Sequence, residues 1–320
     1  MVVARLYLRP RSHVVLALLR ASYTAAATKV DESCSAATGP LTYTLQRKLQ
    51  QSPDSWLLRF ALPEGKLWLS EDVTLPTCIK VIHPNGTDAQ GDPKPLEKSY
   101  SPVSHPAAQG VVDLLVKEYA PRPGGGVGAH ICGLAVGDTM LATLKSKRLM
   151  HGDAAVSRRW ANVGLVAGGT GVAPLLQIAK ILLEDAGGRP TDDETRVHLI
   201  SINRREEDIL ARETLDRLAA DHSDRFQVTY SLTAPPASWS GHVFAASRGR
   251  ELAEAALPPP TGDGKTMILV CGTDGFVETW GGPVGRAPRQ PDGSKGAKIQ
   301  GPLSGILADA GYDASEVFKY

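Results

Sequence analysis

The sequence predicts two domains in series, an antiparallel β-sandwich or barrel over residues 41–150 and a parallel-sheet α/β unit over residues 160–320. Three observations carry this. Short apolar or alternating runs, separated by Pro, Gly, Asn and Asp clusters, fill the first span and have the two-residue period of strands. From Asn162 onward, short apolar runs alternate with helical patterns, as βαβ units require. A length of 320 residues suits two domains at roughly 150 residues each.

In the first span, Leu41–Leu45 and Thr77–Ile82 alternate, Trp56–Phe60 is short and apolar, and Val111–Tyr119 is the plainest strand. Residues 83–99 are polar and turn-rich and read as a loop that delivers the chain to Tyr100. In the second span, strands are expected at 163–167, 197–202, 226–232 and 267–271, with helices over 173–184 and 206–220. The change of period places the boundary between residues 148 and 161. Residues 281–301, rich in Gly, Pro and basic side chains, read as an exposed insertion.

Composition narrows the function classes. With 42% hydrophobic and 22% charged residues the chain can bury an ordinary globular core, and its net charge of +1 gives no reason to expect nucleic acid as a partner. Cys34, Cys78, Cys132 and Cys271 are scattered without a CxxC pair and read as reduced thiols, and the histidines form no HxxxH or HxH group, so no metal site is expected. Residues 1–35 stand apart. Arg5, Arg9, Arg11 and Arg20 occur with no acid before Asp31, the composition of a mitochondrial presequence. A secretory signal, a short membrane anchor or a disordered tail are the competing readings. The apolar run Val14–Leu19 is far shorter than the ~20 residues of a membrane span, so no transmembrane helix is expected and any membrane association would be peripheral.

Two clusters carry chemistry. Gly164–Pro174 (GLVAGGTGVAP) joins an apolar strand to a helix. Glycines there let backbone approach a ligand, the helix N-terminus offers free N–H groups to a phosphate, and Pro174 suits a first helical turn. It is neither the GxGxxG fingerprint nor a P-loop. By itself it could be a tight turn. Upstream, Lys98-Ser99-Tyr100-Ser101-Pro102-Val103-Ser104 sets an aromatic ring, hydroxyls and a cation at a strand end. A flavin needs a flat partner for its ring, hydrogen bonds at the ring edge and a cation for its pyrophosphate, although such a cluster alone is also a plain strand end.

Together the clusters resemble the ferredoxin-reductase-like flavoproteins, and within them the NADH–cytochrome b5 reductase family, which carries Arg-x-Tyr-(Ser/Thr)-x-x-Ser and Gly-Gly-(Thr/Ser)-Gly-x-x-Pro. Val116–Tyr119 is similar to the family's second flavin strand, Gly124–Gly128 to its pyrophosphate loop, and Gly137-Asp138 to the turn that follows. Asn203–Leu210 is similar to its Asn-x-x-x-x-Asp-Ile-Leu, Cys271-Gly272 to its Cys-Gly, and Val317–Tyr320 to its aromatic-ended terminus.

The resemblance implies a flavin-binding β-barrel followed by a Rossmann-like nucleotide domain, with FAD and NADH as cofactors and a haem protein such as cytochrome b5 as acceptor. It implies that Tyr100 lies against the flavin, with Ser99, Ser101 and Ser104 beside it. Lys98, Val116, Lys117 and Tyr119 would hold the ribityl and phosphate portion, and Gly125, Gly126, Val127 and Gly128 the pyrophosphate. Gly168, Gly169, Thr170, Gly171 and Pro174 would receive the nicotinamide nucleotide. Thr170 and Cys271, the latter with Gly272, would border the hydride path. Rival expectations are an NADPH-dependent reductase of an iron–sulfur protein, quinone or ferric complex, and a mitochondrial assembly or interaction protein that has kept the fold without turnover.

The chain departs from the family at Lys98, where arginine is usual, and at Gly126-Val127-Gly128, which offer only backbone donors. A lysine keeps the charge but loses the bidentate fork that suits phosphate. Thr233 stands where NADH-preferring members have aspartate, and Arg204 and Arg205 lie on the neighbouring loop, so partial acceptance of NADPH is expected. Arg286, Arg289, Lys295 and Lys298 in the late insertion could meet an acidic acceptor or simply be solvated. Asp113 and Glu118 read as surface or edge-strand acids with structural roles.

Overall fold

The computed structural model describes residues 39–320, apart from 71, 74–75, 89–90, 120–125, 146–159, 186–190, 192–193, 290–295 and 297. The arginine-rich leader, Gly124, Gly125, Lys295 and most of the expected domain boundary lie outside the described residues.

Strands β1 (Leu41–Ser52), β2 (Ser55–Ala61), β3 (Cys78–His83), β4 (Leu96–Tyr100), β5 (Val111–Lys117) and β6 (Thr139–Lys145) pair antiparallel in the order β4-β3-β6-β1-β2-β5. A short helix, α1 (Val127–Cys132), lies between β5 and β6 in the chain. Alternation puts Tyr43 and Leu45 of β1 inward, where they meet Leu58, Phe60, Ile79, Val112, Met140 and, from α1, Ile131. Burying side chains of this size is worth about 1.5–3 kcal/mol each. Beyond β4 the chain crosses to the far edge. Pro102 bridges Leu114, and the Val103 N–H donates to the Asp113 carbonyl at 2.9 Å, so the two edges meet and the barrel closes.

Two expectations need correction here. Residues 83–99 are not all loop, because Leu96–Tyr100 pairs with β3 from His83↔Leu96 to Ile79↔Tyr100. A polar pentapeptide becomes a strand when a neighbouring edge is available. Val111–Tyr119 stops short as a strand at Lys117, where the Glu118 N–H turns to the Asp54 carbonyl at 2.7 Å. Strand β6 has no counterpart in the sequence reading.

The second unit is β7 (Asn162–Gly168), α2 (Val172–Leu183), β8 (Arg196–Asn203), α3 (Arg212–Asp221), β9 (Phe226–Leu232), β10 (His242–Val243), α4 (Gly249–Ala256), β11 (Thr266–Cys271), α5 (Asp274–Gly281), β12 (Val284–Arg286), β13 (Lys298–Gln300), α6 (Ile306–Asp309) and β14 (Val317–Lys319). Six of these strands form a parallel sheet in the order β10-β9-β8-β7-β11-β14. The helix expected over 206–220 is broken, because Ala211 adopts a left-handed φ of 56° between a 3-10 turn at Glu206–Asp208 and α3. The late insertion carries the exposed two-stranded hairpin β12–β13. No helix among the described residues is long and apolar enough to cross a membrane.

Candidate active site

The parallel sheet reverses its strand order between β7 and β11, and open α/β sheets bind ligands outside the carboxyl ends of the strands at such a point. Here those ends are Gly168 and Cys271. Gly169, at φ 52°, opens the turn that leads into α2, and Pro174 sits in the first turn of that helix. The two strand ends approach so closely that a Cβ on Gly171 would lie 2.1 Å from the Cys271 carbonyl oxygen. Cβ atoms on Gly168 and Gly272 would both run into the Phe276 ring, at 2.8 and 2.5 Å. The glycines therefore keep backbone bare at the switch point.

The barrel supplies the opposite wall. Lys98, Ser99, Tyr100, Ser101, Leu115, Lys117 and Tyr119 line one cleft with Thr170, Ala173, Pro174 and Cys271, around a cavity of about 160 Å³. That is less than the ~300–1,000 Å³ of a drug-sized ligand site, so it suits the reacting part of a dinucleotide rather than the whole. Leu115 and Ala173 were not expected from sequence. Their signals are faint, one position in a strand buried along its length and a small residue between Val172 and Pro174.

Tyr100 is the centre of the barrel side. Burial pushes its phenol pKa upward, with Cys132 and Tyr119 adding to the shift, so it carries its proton. Its hydroxyl is buried and has no hydrogen-bond partner among the described residues. The start of α1 comes up against it: a Cβ on Gly128 would lie 3.4 Å from the Tyr100 oxygen and 3.2 Å from the Lys117 carbonyl. Gly126 precedes α1 in extended conformation, and no side chain caps the helix start. Lys98 Nζ sits 5.5 Å from the Tyr100 ring centre and 5.3 Å from that of Tyr119, within cation–π range. Lys117 Nζ pairs with Asp54 at 2.7 Å.

Other expected residues fall elsewhere. Ser104 is buried away from the cleft, where its Oγ accepts the Asp113 N–H at 3.1 Å. The Val116 and Val127 side chains belong to the barrel core, so only their backbones are available to a ligand. Arg204 and Thr233 stand outside the cleft at the carboxyl ends of β8 and β9. The Thr233 N–H donates to the Asn203 carbonyl at 3.0 Å and the Ala234 N–H to the Arg204 carbonyl at 2.8 Å. Arg205 is occupied with Glu207 at 3.5 Å and takes the Asp208 carboxylate on its N–H at 3.1 Å.

An orphaned tyrosine hydroxyl, an uncapped helix start and a bare glycine turn facing it are what a flavin and a nicotinamide nucleotide would fill. The comparisons with known proteins agree. Residues 42–143 match the Oxidoreductase FAD-binding domain family and residues 165–280 the Oxidoreductase NAD-binding domain family. An NADH-cytochrome b5 reductase-like protein of Arabidopsis thaliana is 32% identical over 281 residues, 88% of this chain and 76% of that protein. The chain belongs to the NADH–cytochrome b5 reductase family. A further relative, NADH-cytochrome b5 reductase 2 of Mycosarcoma maydis, is 34% identical over 87% of this chain and 71% of that protein. In fold, the cytochrome b5 reductase domain of Ulva prolifera nitrate reductase matches with a TM-score of 0.67 at 24% identity, over 88% of this chain and 97% of that one. As a member of this reductase family the chain is an FAD-dependent oxidoreductase that uses NADH, and a non-catalytic assembly role is not favoured.

Proposed function

We propose that this family member passes electrons from NADH, by way of FAD, to cytochrome b5 or a similar haem protein, and that nicotinamide meets flavin in the cleft between Tyr100 and Thr170. One observation carries the reading: Lys98–Ser101 of the barrel and Thr170, Pro174 and Cys271 of the α/β unit line the same cavity. The names of the relatives support the acceptor.

Bound FAD supplies a hydride acceptor that can release electrons singly. The chain's own part is to bind and orient. Tyr100 offers a ring face and a protonated hydroxyl, and Ser101 a hydrogen bond for the ring edge. Lys98, Lys117 and Tyr119 serve the ribityl and phosphate portion, and the N–H groups of Gly126 to Gly128 the pyrophosphate. The bare turn Gly168–Gly171 admits the nicotinamide nucleotide, with Thr170 and Cys271 bordering the transfer path. No side chain need act as acid or nucleophile. Orientation of two reactants can supply as much as ~7–11 kcal/mol of a barrier, and that is the work asked of this cleft.

A second reading concerns the nucleotide. The Arg204 and Thr233 loops are tied together by backbone hydrogen bonds, with no carboxylate at position 233, and this supports some use of NADPH beside NADH.

The test is anaerobic. Purified full-length protein loaded with FAD should bleach on addition of NADH, and should then reduce oxidised cytochrome b5 in stoichiometric amount. A flavin that NADH cannot reduce removes the cleft assignment. Rapid reduction of flavin with cytochrome b5 left oxidised, and a quinone or ferric complex reduced instead, removes the acceptor alone.

A further inference from the structure

Helix α2 touches both walls of the cleft. Ala173 lines the cavity near its start, and Gln177 and Lys180 follow at i+4 and i+7, on the same helical face. Gln177 is 1% exposed. Its Oε1 accepts the Thr77 N–H at 2.8 Å, and its Nε2 donates to Thr77 Oγ1 at 3.0 Å and toward the Ser104 carbonyl at 3.5 Å. Lys180 Nζ donates to the Val103 carbonyl at 2.8 Å. Thr77 leads into β3, on which β4 lies, and Val103 and Ser104 follow Tyr100–Ser101 across Pro102. The helix thus grips the flavin-side segment from both directions.

Adhesion alone does not need these groups. Val103 and Leu115 of the barrel already pack in one apolar cluster with Ala173 and Leu176 of α2. Apolar contact is non-directional, whereas a buried amide is tolerated only when its hydrogen bonds are met in one geometry. We infer that Gln177 and Lys180 are positioning residues for hydride transfer, setting the distance between Tyr100 and the Gly168–Gly171 turn through the rigid rod of α2. The inference rests on the cleft reading above.

The test uses FAD-loaded full-length protein and follows flavin reduction by NADH, and by NADH deuterated at the transferred position, in a stopped-flow instrument. In Gln177→Leu the limiting reduction rate should fall roughly 10- to 100-fold, the range that a misplacement of about 1 Å can produce. The deuterium isotope effect should rise, while the NADH concentration giving half-maximal rate and the FAD content stay near those of the wild type. Lys180→Met should behave the same way, with Lys180→Arg restoring most of the rate. If Gln177→Leu does not fold, Gln177→Glu, which keeps the acceptor and loses both donors, carries the same expectation. FAD-loaded variants that reduce at the wild-type rate with an unchanged isotope effect overturn the inference, whatever their melting temperature. Wild-type protein whose flavin NADH does not reduce overturns the cleft reading, and the inference with it.

Discussion

Arg59 and Asp113 are direct cross-strand partners on β2 and β5, and Arg59 holds the Asp113 carboxylate with two parallel bonds, Nε to Oδ1 at 2.7 Å and Nη2 to Oδ2 at 2.8 Å. The Asp113 backbone also receives Val103 and bonds Ser104. This acid, expected at the surface or a sheet edge, is on an edge strand but buried, with a side chain 12% exposed against 44% for Arg59. That asymmetry makes a prediction. Arg59→Ala leaves a buried carboxylate without its partner, whereas Asp113→Ala leaves an arginine that water can still reach. Charged hydrogen bonds contribute about 1.5–3 kcal/mol, so Asp113→Ala should cost near the lower figure and Arg59→Ala near or above the upper one. Urea midpoints of the two variants decide it, and equal losses would contradict the burial argument.

Lys98, near the rings of both Tyr100 and Tyr119, presents a point charge where an arginine would present a fork. Lys98→Arg should bind FAD more tightly and Lys98→Ala more weakly, each by about tenfold, one charge-assisted bond's worth. Flavin release followed by fluorescence gives both constants. Arginine with no gain in affinity would show that this cation does not face the phosphate.

At the nucleotide end, Thr233→Asp should set a carboxylate beside Arg204 and against a 2′-phosphate. The expected result is a drop in kcat/KM with NADPH of at least about tenfold, with little change for NADH. Arg204→Ala should lower NADPH use alone. The idea of shared specificity is lost if the wild type prefers NADH by more than about a hundredfold, which is some 2.7 kcal/mol.

Much of this site was legible because its parts are local. The run from Gly164 to Pro174 declares a strand-to-helix turn in its own residues, and Tyr100 among hydroxyls and a lysine announces the facing wall. What could not be read depends on distant partners. Leu96–Lys98 is a strand only because β3 lies beside it, and Ala211 breaks a helix whose sequence shows no breaker. Ser104 is expected at the cofactor because it closes a motif, and nothing in the sequence says that its Oγ accepts the Asp113 N–H nine residues on. Gln177 gave one hint, a lone amide inside an apolar helix, with nothing in the sequence to say that Thr77 would meet it a hundred residues away.

Acid should weaken the fold through its buried histidines. Burial lowers the pKa of His105, His130 and His198, and for His130 the adjacent His83, stacked at 4.0 Å, adds to the shift. With folded values below the ordinary value of about 6.5, the unfolded chain takes up protons first as pH falls, so stability is full above that value and declines below it. Thermal melts should therefore drop between about pH 7 and pH 5, and His130→Gln should flatten the slope. A melting temperature independent of pH over this range would refute the assignment.

The last prediction concerns the end of the chain. Lys319 is 2% exposed, and its ammonium points at four carbonyl oxygens, those of Gly281 at 3.1 Å, Pro283 at 3.0 Å, Gly301 at 2.8 Å and Pro302 at 3.1 Å. Burial lowers its pKa, but these acceptors are satisfied only by the protonated form, which has three donors to share among them. The four carbonyls belong to the two roots of the β12–β13 hairpin, so one cation ties the insertion to α5 and to β14. Gln300 closes the same knot by pairing with the Lys319 backbone in both directions, at 2.8 and 2.9 Å. Lys319→Met keeps the length and removes every donor, leaving four carbonyls without it, of which that of buried Gly281 is least open to water, at a cost of about 1–3 kcal/mol. The loss should be local first: the hairpin between Val284 and Gln300 becomes sensitive to protease at temperatures where the parallel sheet, read from its circular dichroism, is still intact. A variant whose hairpin resists cleavage as well as the wild type would mean that the β12–β13 pairing holds the insertion without its cation.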